Sequence, residues 1–171
     1  ALKGTARIAN SYIKTKIFDD YDSLFYRFIT DVWPDYSQKS VNVAEIGCGP
    51  GSAIRFLTGI DFASIDYVGI DVSLKAMLSA GNIYNPLKPN WSVKYIRSSA
   101  NIRSFEDNSL DIVFSASALH HLQVNEVIEW VSKLLKPGGL FIMHEPSEIN
   151  PFARLGRKFM KNFHTTGEKP L

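Results

Sequence analysis

The stretch Val41-Asn-Val-Ala-Glu45-Ile-Gly47-Cys-Gly49-Pro-Gly51-Ser52 sets three glycines on alternate positions directly behind a short apolar run. That pattern reads as a buried strand turning sharply into a helix. Glycine reaches positive φ and has no Cβ, so the main chain from Gly47 to Gly51 can bend tightly and let a flat or charged ligand lie against it. A helix from about Ser52 to Leu57 would aim its first N–H groups at that ligand. Pro50 suits the place, since a fixed φ and a missing N–H cost little at a helix start.

Glycine turns also occur wherever a strand and a helix pack closely, so the acid downstream carries the argument further. Asp71 ends a second apolar run, Tyr67-Val-Gly-Ile70, and lies 20 residues after Gly51. A nucleotide-binding βαβ unit places at this spacing the carboxylate that holds two ribose hydroxyls. Glu45 and Asp71 then close neighbouring strands on one edge of a sheet. A dinucleotide fingerprint would read G-x-G-x-x-G/A, but Ser52 stands at its sixth position and Gly51 comes one place early, which disfavours an NAD-dependent oxidoreductase.

Glu45-x-Gly47-x-Gly49-x-Gly51 instead resembles the first motif of the class I S-adenosylmethionine-dependent methyltransferases. Further segments continue the resemblance in order: Gly69-Ile-Asp71-Val72-Ser73, Asp107 to Ser115, Ala118-Leu-His-His-Leu122 and Leu134 to Leu140. The resemblance implies S-adenosyl-L-methionine as cofactor and S-adenosyl-L-homocysteine as product. It implies that Gly47, Cys48, Gly49 and Gly51 cradle the methionine end, that Glu45 orders that loop and offsets positive charge, and that Asp71, with Val72 beside it, holds the ribose. Ser99 aligns where many members carry an acid for the adenine amino group. A hydroxyl makes that bond without charge assistance, and main-chain groups around Ala100 and Asn101 would help read the adenine edge. Ser115 would pass beside the sulfonium, and His120 could take a proton from an oxygen or nitrogen nucleophile, its ordinary pKa being close to working pH. Cys48 reads as a small residue tolerated by the turn rather than a reactive thiol.

The remaining elements fit around this core. Ala6 to Trp33 reads as helical, with Tyr21, Leu24, Phe25 and Phe28 on one stripe; Tyr12, Phe18 or Tyr21 could line an acceptor pocket. Pro34 to Ser40 reads as a polar linker, Ser73 to Ala80 as a helix capped by Ser73 and ending near Gly81, and Trp91 to Arg97 as a third strand. Asp111 to Ser115 is the fourth strand, Val124 to Leu135 a helix stopped by Lys136-Pro-Gly-Gly139, and Leu140 to His144 the fifth strand. The fold expected is α/β: a Rossmann-like parallel sheet in the order 3-2-1-4-5 with helices on both faces, lacking the family's usual C-terminal antiparallel strands. The division expected is a helical cap over 1–40, a cofactor-binding core over 41–146, and a basic amphipathic helix, Pro151 to Phe163, with a tail over 147–171. Nothing after Pro146 reads as strands, so the chain is expected to be either a shortened member of the family or, the favoured reading, a piece of a longer protein, with its edge strand available for oligomerisation.

Composition narrows the setting. With 45% apolar and 21% charged residues, 171 residues can bury a proper core. A single cysteine excludes an internal disulfide and a cysteine-based metal site, and no metal ligands are expected. No apolar run approaches a membrane span, and a cytoplasmic setting follows as the default. A net charge of +2 gives no argument for nucleic acid, whereas the basic face over 151–163 could meet a membrane surface. The function expected is methyl transfer to a small, apolar acceptor. The alternative is a catalytically silent binding or interaction domain of the same fold.

Overall fold

The computed structural model describes residues 21–51, 54–83, 89–99 and 105–145. Within them, β1 (Ser40–Ile46), β2 (Ser64–Asp71), β3 (Trp91–Arg97), β4 (Leu110–Ala116) and β5 (Leu135–His144) form one sheet in the order β3-β2-β1-β4-β5. Every pairing is parallel. Among the described residues four α-helices connect or cover them: α1 (Tyr21–Val32), α2 (Arg55–Thr58), α3 (Leu74–Ile83) and α4 (Val124–Leu134). This is the Rossmann-like architecture expected from the alternation of strand and helix.

Residues alternate across β1, so one strand feeds two cores. Val41 and Val43 enter the first with Ile112 and Phe114 of β4, Leu57 of α2 and Ile29 of α1. Ala44 and Ile46 enter the second with Val113 and with Val127, Val131 and Leu134 of α4. Phe25 of α1 stacks on Phe56 with ring centroids 5.7 Å apart and meets Phe114 edge-on at 6.1 Å, so α1 covers the sheet.

Several boundaries differ from the sequence reading. β5 begins at Leu135, not Leu140: Leu135 pairs with Leu110 and Leu140 with Ile112, which leaves Lys136–Gly139 as an irregularity inside the strand. Lys136 Nζ reaches Asp111 Oδ2 at 2.7 Å there, which ties the irregular segment to β4. α3 runs through Gly81 to Ile83, since one glycine inside a helix costs only about 1 kcal/mol. The linker contains a single 3-10 turn, Tyr36–Gln38, and the described part of the helix after the glycine turn is Arg55–Thr58. Tyr12, Phe18, Ser52, the stretch 147–171 and its basic helix lie outside the described residues. Among the described residues no helix is long and apolar enough to cross a membrane.

Candidate functional site

β2 and β4 flank β1 on opposite sides, and the chain reverses its direction of winding between them. Open α/β sheets bind ligands in the crevice outside the strand ends at such a switch point. A cleft of about 430 Å³ lies there, with the glycine turn, Asp71, Val72 and Ser98 on one side and Ala116, Ser117, Ala118, His121 and Leu122 on the other. Its size suits a nucleoside-sized ligand.

The first wall is built by main chain and one carboxylate. Gly47 N and Cys48 N both donate to Ile70 O, at 2.8 and 3.0 Å, and fasten the turn to the end of β2. Asp71 Oδ2 accepts Gly49 N at 2.8 Å, and Oδ1 accepts Ser73 N at 2.8 Å. Ser73 Oγ in turn accepts Ala76 N at 3.2 Å, the cap expected for α3. Each carboxylate oxygen retains lone-pair capacity for a further hydroxyl. Gly47 has φ +69, and a Cβ there would stand 2.2 Å from Ala118 Cβ, so only glycine lets the two walls meet.

Glu45 reaches the floor of the cleft, but its carboxyl points into the first core and accepts the Tyr67 hydroxyl. Burial pushes that carboxyl from 4.5 up to about 8, against the Tyr67 hydrogen bond that lowers it. Burial therefore favours the uncharged acid at neutral pH, which runs against the expectation that Glu45 offsets positive charge nearby. Burial likewise pushes the Cys48 thiol up to about 12, with the Glu45 and Asp71 carboxyls adding to it. Cys48 lines the cleft as an unreactive residue.

Not every expected residue reaches the cleft. Gly51 does not line it; with φ +80, its missing Cβ makes room for Tyr95, whose hydroxyl would lie 2.6 Å away. Ser115 is buried and its hydroxyl donates to Ile46 O at 3.0 Å, so the chain faces the cleft only from Ala116 onward. Ser98, whose N–H donates to Asp71 O at 2.8 Å, lines the cleft in place of the exposed Ser99. Ala100 and Asn101 lie outside the described residues. Val72 lines the cleft and is 64% exposed.

The second wall depends on a residue that sequence reasoning missed. Glu145, directly after β5, accepts Ala118 N at 3.0 Å and Leu119 N at 2.8 Å through Oε1, and pairs with His120 Nδ1 at 2.7 Å through Oε2. Its signal was faint: an acid closing an apolar run on the same sheet edge as Asp71. His120 is correspondingly withdrawn, its side chain only 5% exposed, and it does not line the cleft. His121 does, its ring centroid 4.1 Å from that of His120.

Fold and cleft together define a nucleoside-cofactor domain of the doubly wound type. The chain belongs to the methyltransferase-domain family, whose model matches residues 44–143. It is 30% identical over 143 residues to the tRNA N(3)-methylcytidine methyltransferase trm140 of Schizosaccharomyces pombe, covering 78% of this chain and 46% of that protein. It is 28% identical over 169 residues to O-methyltransferase 3 of Dictyostelium discoideum, covering 92% and 38%. A crystal structure described as a putative sarcosine dimethylglycine methyltransferase from Galdieria sulphuraria superposes with a TM-score of 0.58 at 22% identity, covering 71% of this chain and 45% of that one. The chain thus spans less than half the length of each. Relatives include enzymes named for tRNA and for O-methylation, and the cofactor of the class is S-adenosylmethionine. The first wall fits that group: the position where a Gly49 Cβ would stand has no atom within 4 Å, and Asp71 lines the cleft beside it.

Proposed function

We propose that this chain transfers a methyl group from S-adenosylmethionine to a small, uncharged and largely apolar acceptor by in-line displacement. One observation carries the choice of acceptor. Among the described residues the cleft lining contains Glu45 and Asp71, apolar Pro50, Val72, Ala116, Ala118 and Leu122, and neither lysine nor arginine. These residues offer the phosphates of a polyanionic acceptor no lysine or arginine partner, which supports a small molecule over a nucleic acid.

When bound, the cofactor supplies a methyl group activated by a sulfonium. In this reading Gly47, Cys48 and Gly49 hold its methionine end, Asp71 its ribose hydroxyls, and Val72 and Ser98 its nucleoside edge. Ala116 to Leu122 face the acceptor and exclude water, so the protein acts chiefly by alignment. His121, which lines the cleft, is the candidate proton acceptor; His120, held through Nδ1 by Glu145 and withdrawn from the cleft, is the competing one.

The test uses cofactor labelled at the methyl group, incubated with the protein and fractionated cell extracts. Label in the organic-soluble small-molecule fraction supports the reading. Label in RNA would replace it with a nucleic-acid acceptor, and binding of S-adenosylhomocysteine without any transfer would favour the silent binding domain. His120→Ala and His121→Ala then separate the two histidines: the variant that loses the acidic limb of the pH–rate profile, where the base is protonated and idle, identifies the base.

A further inference from the structure

We infer that Glu145 is a positioning residue: from the end of β5 its carboxylate holds the loop after β4 against the glycine turn and so sets the width of the cleft. The consequence for ligand binding rests on the methyltransferase reading above; the holding of the loop does not.

The loop cannot hold this shape by itself. Ser117 sits at φ +56, a left-handed conformation that a residue with a side chain keeps only where its surroundings over-determine it. The short 3-10 turn Leu119–His121 follows, and Ala118 at its N-cap has no side-chain acceptor to offer the first amides. β5 supplies both needs. His144 O accepts Ser117 N at 2.7 Å, and Glu145 Oε1 accepts the amides of Ala118 and Leu119 at 3.0 and 2.8 Å. Bonds to an ionised carboxylate are the stronger kind, and this one is nearly buried, with its side chain 9% exposed.

Ala118 is where this matters for the cleft. Its Cβ stands 2.2 Å from the place a Gly47 Cβ would take, so the two walls already touch through it. A small shift of Ala118 therefore opens or closes the gap beside the turn. The second oxygen of Glu145 is spent on His120 Nδ1, which gives the two halves of the carboxylate separable duties.

Three substitutions divide those duties. Glu145→Gln keeps an oxygen for the two amides and turns an NH₂ toward Nδ1; Glu145→Ala removes all three bonds; Glu145→Asp is one methylene shorter and falls short of the amides. Hydrogen exchange at Ala118 and Leu119, followed by NMR on the ligand-free full chain, reports the staple directly. Calorimetry with S-adenosylhomocysteine reports the cleft, and urea unfolding separates both from global stability. We expect Glu145→Ala to speed exchange at both amides and to weaken S-adenosylhomocysteine, each by about tenfold or more, with amides of β1 unchanged. Glu145→Gln should stay within about threefold of wild type in both. Unchanged exchange in Glu145→Ala, or fast exchange with unchanged affinity, overturns the inference. So does a Glu145→Gln protein whose two amides exchange as fast as those of Glu145→Asp, the comparison to use if the alanine variant does not fold. A wild type that ignores S-adenosylhomocysteine would instead sink the methyltransferase reading and leave the exchange result standing.

Discussion

The two walls of the cleft are built by different means. On one side, the turn from Gly47 to Gly49 is fastened to β2 by main-chain bonds to Ile70 and by Asp71, all within two neighbouring strands. On the other, the loop from Ala116 to Leu122 includes one left-handed serine and is held by His144 and Glu145 at the end of β5. Each wall is closed by the strand paired beside it, 22 residues on for Gly49 with Asp71 and 27 for Ala118 with Glu145. What differs is the means: glycines bend the first wall, whereas the second bends at a serine at φ +56 and is held by a nearly buried carboxylate.

Substitutions that strike the meeting point of the walls should have the largest effect. Gly47→Ala adds a methyl 2.2 Å from Ala118 Cβ at a φ of +69, and we expect a loss of about 3 kcal/mol or more of stability in urea unfolding. A loss below 1 kcal/mol would show that the walls part easily. Asp71→Ala acts on the cofactor wall alone. It frees the amides of Gly49 and Ser73 and removes the carboxylate proposed to hold the ribose, so S-adenosylhomocysteine affinity should fall about 100-fold, roughly 2.7 kcal/mol. Unchanged calorimetry would displace the ribose from Asp71.

Glu45 behind the turn gives a pH signature. Its folded carboxyl titrates near 8 against an ordinary 4.5, raised mainly by burial. The folded state therefore holds more protons than the unfolded state between those values, and stability falls as pH rises across that window. The slope approaches about 1.4 kcal/mol per pH unit for one proton. Glu45→Gln should flatten that decline when unfolding is followed from pH 5 to 8; an identical slope in both proteins would mean that another group is responsible. The smallest effect belongs to Lys136→Ala. The pair with Asp111 is partly exposed, side chains 38% and 20%, and it lies where β5 is irregular, outside the cleft lining. Its loss should cost less than about 1 kcal/mol and leave S-adenosylhomocysteine binding untouched, which calorimetry can check.

The same contrast explains what the sequence made legible. Strand order, the boundaries of β3, the Ser73 cap and the meeting of the glycine turn with Asp71 follow from periodicity, turn chemistry and spacing. What escaped was decided by packing across the sheet. Gly51 looks like its neighbours in the motif but serves the Tyr95 ring. Ser115 differs from Ala116 only in which side of β4 it faces. Glu45 and Asp71 look alike in sequence and both line the cleft, yet the carboxyl of one accepts the core Tyr67 hydroxyl and that of the other accepts Gly49 N of the turn. Ser98 replaces Ser99 because β3 ends at Arg97 and the next residue bonds Asp71. His120 was visible as a histidine; its withdrawal behind Glu145 was not, because no motif spacing ties it to an acid 25 residues later, just past β5.

Amide chemical-shift mapping of the labelled full chain during titration with S-adenosylhomocysteine tests the central claim most directly. We predict saturable shifts centred on Gly47, Gly49, Asp71, Val72, Ser98 and Ala118, the residues that meet around the cleft, and no comparable response to NADH. Shifts confined to other surfaces, or none at millimolar ligand, would contradict a cofactor site between these two walls.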